Sequence, residues 1–235
     1  MTAAASSPAR TLRNDLFRAP PRLPLIAPSI LSADFARLGE EARAVIEAGA
    51  DLLHLDVMDG HFAPNLSMGP ALCRSLRKAL PGAFLDVHLM VKDPGFFLQP
   101  FADAGADHCT LHIEVIDDPR PLAERCHALG MSAGLAFNPD TPAERVLPFA
   151  EPFDLLLCMS VVPGFSGQKF KPEVLPKCRA IKPHLRADQR LEIDGGVAPA
   201  TVEGCRAAGC DVLVAATAVY GERDYAAAIR LLRGS

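Results

Sequence analysis

The sequence predicts an α/β fold in which eight parallel strands close on themselves inside a ring of helices, the (β/α)8 or TIM-barrel architecture. Three observations carry this. From Leu25 onward one rhythm recurs eight times: a short apolar run ending in a polar residue, then a helical pattern. Three helix-to-strand junctions are nearly the same sequence, Ala48-Gly49-Ala50-Asp51, Ala104-Gly105-Ala106-Asp107 and Ala208-Gly209-Cys210-Asp211, each with a C-cap glycine and an aspartate leading into a strand. No Gly-x-Gly-x-x-Gly follows the first strand, which counts against an open doubly wound sheet.

In chain order, the apolar run at 24–29 is the first strand and 34–48 its helix, stopped by Gly49. Strand 52–56 precedes a helix at 69–80 that ends before Pro81-Gly82. Strand 84–90 is followed by a helix at 96–104 before Gly105, and strand 108–112 by one at 119–129 before Gly130. Strands at 132–137 and 154–159 lead to helices at 142–149 and 172–181. Strand 190–194 precedes a helix at 199–208 before Gly209, and strand 212–215 one at 224–232.

Residues 25–235 thus form a single catalytic-sized barrel domain, and 1–24 an extension. That extension is rich in Ala, Ser, Pro and Arg, has Asp15 as its one acidic residue and lacks the apolar core of a secretory signal. It is expected to be a flexible arm, with an organelle transit peptide as the alternative. A hydrophobic content of 49% with 22% charged residues is that of a globular core. The net charge of −4 gives no reason to expect nucleic acid or an anionic membrane as partner, and no apolar run reaches the roughly 20 residues of a membrane helix. The 7 cysteines form no Cys-x-x-Cys pair and are read as small buried hydrophobes in a reducing, cytoplasmic compartment.

Chemistry concentrates at predicted strand ends, where barrels of this kind carry their active sites. In His54-Leu55-Asp56-Val57-Met58-Asp59-Gly60 the alternation of a strand puts His54, Asp56 and Met58 on one face. Asp86, His88 and Met90 alternate inward from the third strand, and Asp194 ends the seventh. Two imidazoles and two carboxylates, His54, Asp56, His88 and Asp194, suit one divalent metal ion such as Zn2+, Fe2+, Mn2+ or Co2+. Four ionisable groups would be costly to bury without such a purpose. His112 with Glu114 is read as lining or supporting the site. His61, His108, His127 and His184 are read as structural or surface residues, and Met58, Met90 and Met159 as an apolar lining. Glycine-rich segments follow the sixth, seventh and eighth strands, and Gly195-Gly196 with Ala216-Thr217 is the candidate phosphate site.

These segments resemble the ribulose-phosphate 3-epimerase family over nearly all of the chain after residue 24. The resemblance is carried by Pro28-Ser29-Ile30-Leu31-Ser32-Ala33-Asp34-Phe35, the His54–Gly60 stretch, Asp86-Val87-His88-Leu89-Met90, His112-Ile113-Glu114, Asn138-Pro139-Asp140-Thr141-Pro142, the Pro163–Gln168 loop and Ile193-Asp194-Gly195-Gly196. It implies a ribulose-phosphate-binding barrel that inverts C3 of a ketopentose phosphate, D-ribulose 5-phosphate to D-xylulose 5-phosphate in the pentose phosphate pathway. It implies His54, Asp56, His88 and Asp194 as metal ligands, with Asp56 and Asp194 also the acid/base pair. It implies substrate contacts at Ser29, His88, Gly164, Phe165, Ser166, Gly167, Asp194, Gly195, Gly196, Ala216 and Thr217. Inversion beside a ketone fits that pair, since one carboxylate removes a proton from one face and the other returns one to the opposite face. No organic cofactor is implied, and self-association is.

The chain departs from the family pattern in Val162-Pro163-Gly164, Ser166-Gly167 and Phe137-Asn138-Pro139, and in Ala216-Thr217, where the family has Gly-Ser. Two alternatives stay open. One is a 3-epimerase for another ketose phosphate, such as allulose 6-phosphate or a tetrulose phosphate. The other is a non-catalytic barrel that binds a phosphorylated ligand.

Overall fold

The structure, a computed structural model, describes residues 15–235. Its eight strands are β1 (Leu25–Pro28), β2 (Leu53–Met58), β3 (Leu85–Met90), β4 (His108–His112), β5 (Ser132–Phe137), β6 (Leu155–Met159), β7 (Arg190–Asp194) and β8 (Val212–Ala215). They form one all-parallel sheet in the order β1-β8-β7-β6-β5-β4-β3-β2. Between β1 and β2 the barrel is completed by a parallel bridge from Ser29 to His54 and by the Asp51 N–H donating to the Ile26 carbonyl.

The helices are α1 (Leu38–Glu47), α2 (Pro70–Ala79), α3 (Pro94–Ala104), α4 (Arg120–Ala128), α5 (Ala143–Val146), α6 (Leu175–Ile181), α7 (Val202–Ala207), α8 (Thr217–Tyr220) and α9 (Tyr225–Arg233). Several differ from the sequence expectation for local reasons. The helix expected at 34–48 opens with a separate 3-10 turn, Phe35–Arg37, because the Asp34 carboxylate caps Ala36 first. α3 starts early, at Pro94, where the Asp93 side chain accepts from the Phe96 N–H. α5 gives way to a 3-10 turn at Leu147–Phe149, which contains Pro148 and so lacks one helical donor. The short α8, not anticipated, lies directly behind β8.

The recurrent junction aspartates have a structural cause. Asp51, Asp107, Asp154 and Asp211 each precede an even-numbered strand, and each accepts from the first backbone N–H groups of the odd-numbered neighbour, at Ile26, Leu85, Ala133 and Leu191. Each is also met by a cation or imidazole: Arg22 and Arg233 at Asp51, Arg77 at Asp107, Arg18 and His127 at Asp154, and Lys182 at Asp211. Asp154 belongs to the set although no Gly-x-Asp precedes it.

The inside of the barrel is divided. β1, β6 and β8 fill it with apolar side chains, among them Leu25, Leu155, Leu157, Val212 and Val214. β2, β3, β4 and β7 contribute His54, Asp86, His108, Thr110 and Glu192, all fully buried. Gly134 of β5 makes room for this polar column, since a Cβ there would lie 2.2 Å from Thr110 Oγ1.

The flexible arm expected over residues 1–24 is not what residues 15–24 form; residues 1–14 lie outside the described residues. Phe17 is 1% exposed and joins the interior cluster at the base of the barrel, its ring edge-on to Phe84 and His108 at centroid distances of 4.9 and 4.8 Å. Arg18 donates through Nε and Nη2 to Asp154, at 3.1 and 3.0 Å, and Arg22 pairs with Asp51 at 2.7 Å. Composition alone does not reveal these partners, which lie far along the chain.

Candidate active site

Strand parity and register place the site. Pairing of β2 with β3 sets His54 beside Asp86, Asp56 beside His88 and Met58 beside Met90, and pairing of β6 with β7 sets Met159 beside Asp194. Inward side chains therefore lie in layers, with acids and imidazoles at the same heights.

Four ligand-type atoms meet below the mouth. His54 Nε2 lies 3.3 Å from Asp56 Oδ1 and 3.4 Å from His88 Nδ1, and His88 Nδ1 lies 3.2 Å from Asp56 Oδ1. Asp194 Oδ2 is 3.7 Å from His88 Nδ1 and 4.0 Å from His54 Nε2. Ligands at about 2.0–2.1 Å from a tetrahedral ion stand roughly 3.3–3.4 Å apart, so this buried set of two nitrogens and two oxygens could hold one divalent metal ion.

The two carboxyls have opposite electrostatics. Burial by itself would raise Asp56, but His54 and His88 beside it outweigh burial and hold it well below the usual carboxylate range. Burial and the neighbouring Asp56 push Asp194 up to about 7. Burial opposes charge on His54, yet Asp86 and Asp56 raise it above its ordinary value, while burial lowers His88. The Ser29 hydroxyl donates to Asp56 Oδ2, tying β1 to the cluster.

Above the quartet, Met58, Met90 and Met159 are all buried and line a mouth cavity together with Ser29, Asp56, Asp194 and the 163–168 loop. Gly164, Phe165, Ser166, Gly167, Gly195, Gly196 and Ala216 all border this cavity. The Asn65 side-chain amide holds the loop by donating to the Gly164 carbonyl at 2.8 Å. Gly195 and Gly196 are required by position: both have positive φ, and a Cβ on Gly195 would lie 2.5 Å from Val161. Thr217 is exposed at the start of α8 and does not border the cavity, whereas Ala216 does.

The remaining histidines separate cleanly. His112 stands behind His88, Nε2 to Nε2 at 2.9 Å, and its Nδ1 lies 2.9 Å from Glu114. His108 bonds Ser132 and Thr110 lower in the barrel, and His127 bonds Asp154 at its base. His61 is on the surface, beside Asp59. The backbone N–H of Asn138 donates to Glu114, so its contribution is to that carboxylate.

The family model described as the ribulose-phosphate 3 epimerase family matches residues 25–220. The chain belongs to this family. The ribulose-phosphate 3-epimerase of Mycobacterium tuberculosis (strain ATCC 25618 / H37Rv) is 49% identical over 213 residues, covering 89% of this chain and 92% of that protein. The cytoplasmic isoform of Oryza sativa subsp. japonica is 44% identical, covering 89% and 93%, and the enzyme of Synechocystis sp. 46%, covering 90% and 94%. This member of the epimerase family is an enzyme, an isomerase. Among solved structures, KGPDC from Streptococcus mutans aligns with a TM-score of 0.65 at 13% identity, covering 91% of this chain and 97% of that one. The 3-hexulose-6-phosphate synthase from Salmonella typhimurium aligns at 0.68 and 17%, covering 89% and 97%. At such identities they show the shared barrel fold.

Sequence reasoning missed three contributors. Glu192 shares the parity of Asp194, two residues away, which is a usable signal. Ser160 donates its hydroxyl to the carbonyls of Asp194 and Gly195, and Asn65 anchors the opposite loop. Both are loop contacts between distant segments, with no local signature.

Proposed function

We propose that the protein interconverts D-ribulose 5-phosphate and D-xylulose 5-phosphate by proton transfer between two carboxylates, with one divalent metal ion held by His54, Asp56, His88 and Asp194. The observation that supports this most directly is that Asp56 and Asp194, on β2 and β7, both reach one cavity, with the two imidazoles between them. When bound, the ion supplies Lewis-acid stabilisation of the negative charge that develops on the substrate oxygens.

The chain's own residues supply the rest. One aspartate accepts the C3 proton; the C–H electron pair moves into the carbonyl to give the enediolate. The other aspartate returns a proton to the opposite face of C3, and the carbonyl re-forms at C2. The two residues exchange roles with the direction of reaction. Ser29 orients Asp56 through its hydroxyl. The methionine collar keeps bulk water from the intermediate, and Gly195, Gly196 and Ala216 with the 163–168 loop form the surface against which the phosphate is placed. A homo-oligomer in the reducing cytoplasm belongs to the same proposal; among the described residues no helix is long and apolar enough to cross a membrane.

Chelator should abolish turnover and Zn2+, Fe2+, Mn2+ or Co2+ restore it, and product formed in D2O should carry deuterium at C3. Asp56→Asn and Asp194→Asn should each lower kcat by at least about 1000-fold with the thermal midpoint retained. A metal-loaded Asp194→Asn enzyme with near-normal turnover would sink the two-base mechanism. Because Ala216 borders the cavity where the family carries glycine, kcat/KM should also be compared on allulose 6-phosphate and a tetrulose phosphate.

A further inference from the structure

Two carboxylates outside the ligand quartet each end a hydrogen-bonded line that begins at one of its imidazoles. An imidazole that faces a metal ion must present a bare nitrogen, and which nitrogen is bare depends on what the other one bonds. The two rings here present different atoms to the quartet, Nε2 from His54 and Nδ1 from His88.

For His54 the cause is direct. Its Nδ1 lies 2.7 Å from Asp86 Oδ2, and both side chains are fully buried. A carboxylate only accepts, so the proton stays on Nδ1 and the lone pair faces the quartet from Nε2. For His88 the cause is one residue further away. Its outward nitrogen meets another imidazole, Nε2 of His112, at 2.9 Å. That contact is ambiguous by itself, since either ring could donate. Glu114 removes the ambiguity: its Oε2 lies 2.9 Å from His112 Nδ1, so the proton of His112 sits there. His112 Nε2 then accepts, His88 Nε2–H donates, and His88 Nδ1 is left bare. The other Glu114 oxygen is occupied by the Asn138 N–H and the Thr141 hydroxyl, which leaves Oε2 to His112.

We propose that Asp86 and Glu114 are positioning residues that fix the two ligand histidines in opposite tautomers, Asp86 acting directly on His54 and Glu114 acting on His88 through His112. This rests on the reading that the quartet holds a metal ion. It adds that the metal site is determined by two separate lines reaching it from β3 and from the turn after β4. The group His54, Asp86 and Glu192 also has ligand-type atoms close together. The 2.7 Å contact assigns the His54 Nδ1 proton to Asp86, which makes Asp86 a hydrogen-bond acceptor there and not a ligand.

The test uses the full-length protein loaded with Zn2+. Zinc affinity is measured by chelator competition for wild type, Asp86→Asn, Glu114→Gln and His112→Phe, with folding checked by circular dichroism. Long-range 15N–1H spectra of the zinc form report which ring nitrogens carry protons. The expected result is one zinc per chain, with protons on His54 Nδ1 and on His88 Nε2. Each single variant should weaken zinc binding about 10- to 100-fold. Glu114→Gln added to His112→Phe should cost nothing further, because the line is already cut, whereas Asp86→Asn added to His112→Phe should multiply the loss. A purely structural role would leave the two effects of the Glu114 line independent. If Asp86→Asn does not fold, the Glu114 and His112 pair still decides for its half of the proposal. Unchanged affinity in the single variants, a further loss from Glu114→Gln in the His112→Phe background, or two zinc ions per chain would each overturn it. A wild-type protein that binds no zinc at the quartet would instead overturn the underlying metal reading.

Discussion

Glu114 shows how much one side chain can be asked to do. Burial would raise its carboxyl, but hydrogen bonds from His112, Asn138 and Thr141 outweigh burial and hold it down at about 2. A carboxyl lowered in the folded state stabilises the fold above its unfolded value near 4.5, and that contribution disappears as the pH falls toward 2. Glu114→Gln should therefore be less stable than wild type at pH 7, and the difference in urea midpoint should shrink steadily between pH 5 and about 2. A difference that stays constant over that range would mean the charge contributes nothing. That His54, Asp56, His88 and Asp194 face one interior point was legible in the sequence because a strand has period two: once His54, Asp56 and Met58 share a face, only an inward or an outward choice remains. What parity could not show was depth. Asp86 and Glu192 have the same inward parity as His88 and Asp194, yet register places them one layer lower, where they face His54 from behind and from the side.

At the scale of elements, the alternation of junction aspartates ties the strands together in pairs. Each bridges the start of one strand and the start of the next, and each is matched by an Arg, Lys or His from another segment. Asp107→Ala would leave the Leu85 N–H and the Arg77 guanidinium without that acceptor, and should cost about 2–4 kcal/mol in denaturant unfolding. A loss below about 0.5 kcal/mol would mean that water replaces the carboxylate at this junction. Three of these junctions were visible in the sequence as Gly-x-Asp, since a left-handed C-cap demands glycine at Gly49, Gly105 and Gly209. The fourth escaped because Asp154 follows Phe153 and no glycine cap, so the shared role is set by position in the barrel. Helix starts and ends were the least legible part, for caps such as Asp34 and Asp93 decide them one hydrogen bond at a time.

For the whole molecule, the described part of the N-terminal segment is a component of the barrel. Phe17 lies before residue 25, where the family match begins, yet it packs in the same interior cluster as Leu25, Phe84, Leu155 and Val212. Phe17→Ala should cost about 3 kcal/mol of unfolding free energy. Arg18→Ala, whose side chain is 37% exposed, should cost about 1 kcal/mol or less. Equal stability of Phe17→Ala and wild type would mean that the segment contributes nothing to the fold. Composition pointed to a loose arm because it counts residues without regard to where their partners lie: Asp154 is 136 positions beyond Arg18.

Phe17 packs at the base of the barrel and the methionines line the mouth at its top. His54 and His88 are fully buried beneath that mouth. With the proposed ion held by the buried histidines and the proposed sugar seated in the mouth above them, the sugar would cover the ion, and metal exchange would be fastest in the sugar-free enzyme.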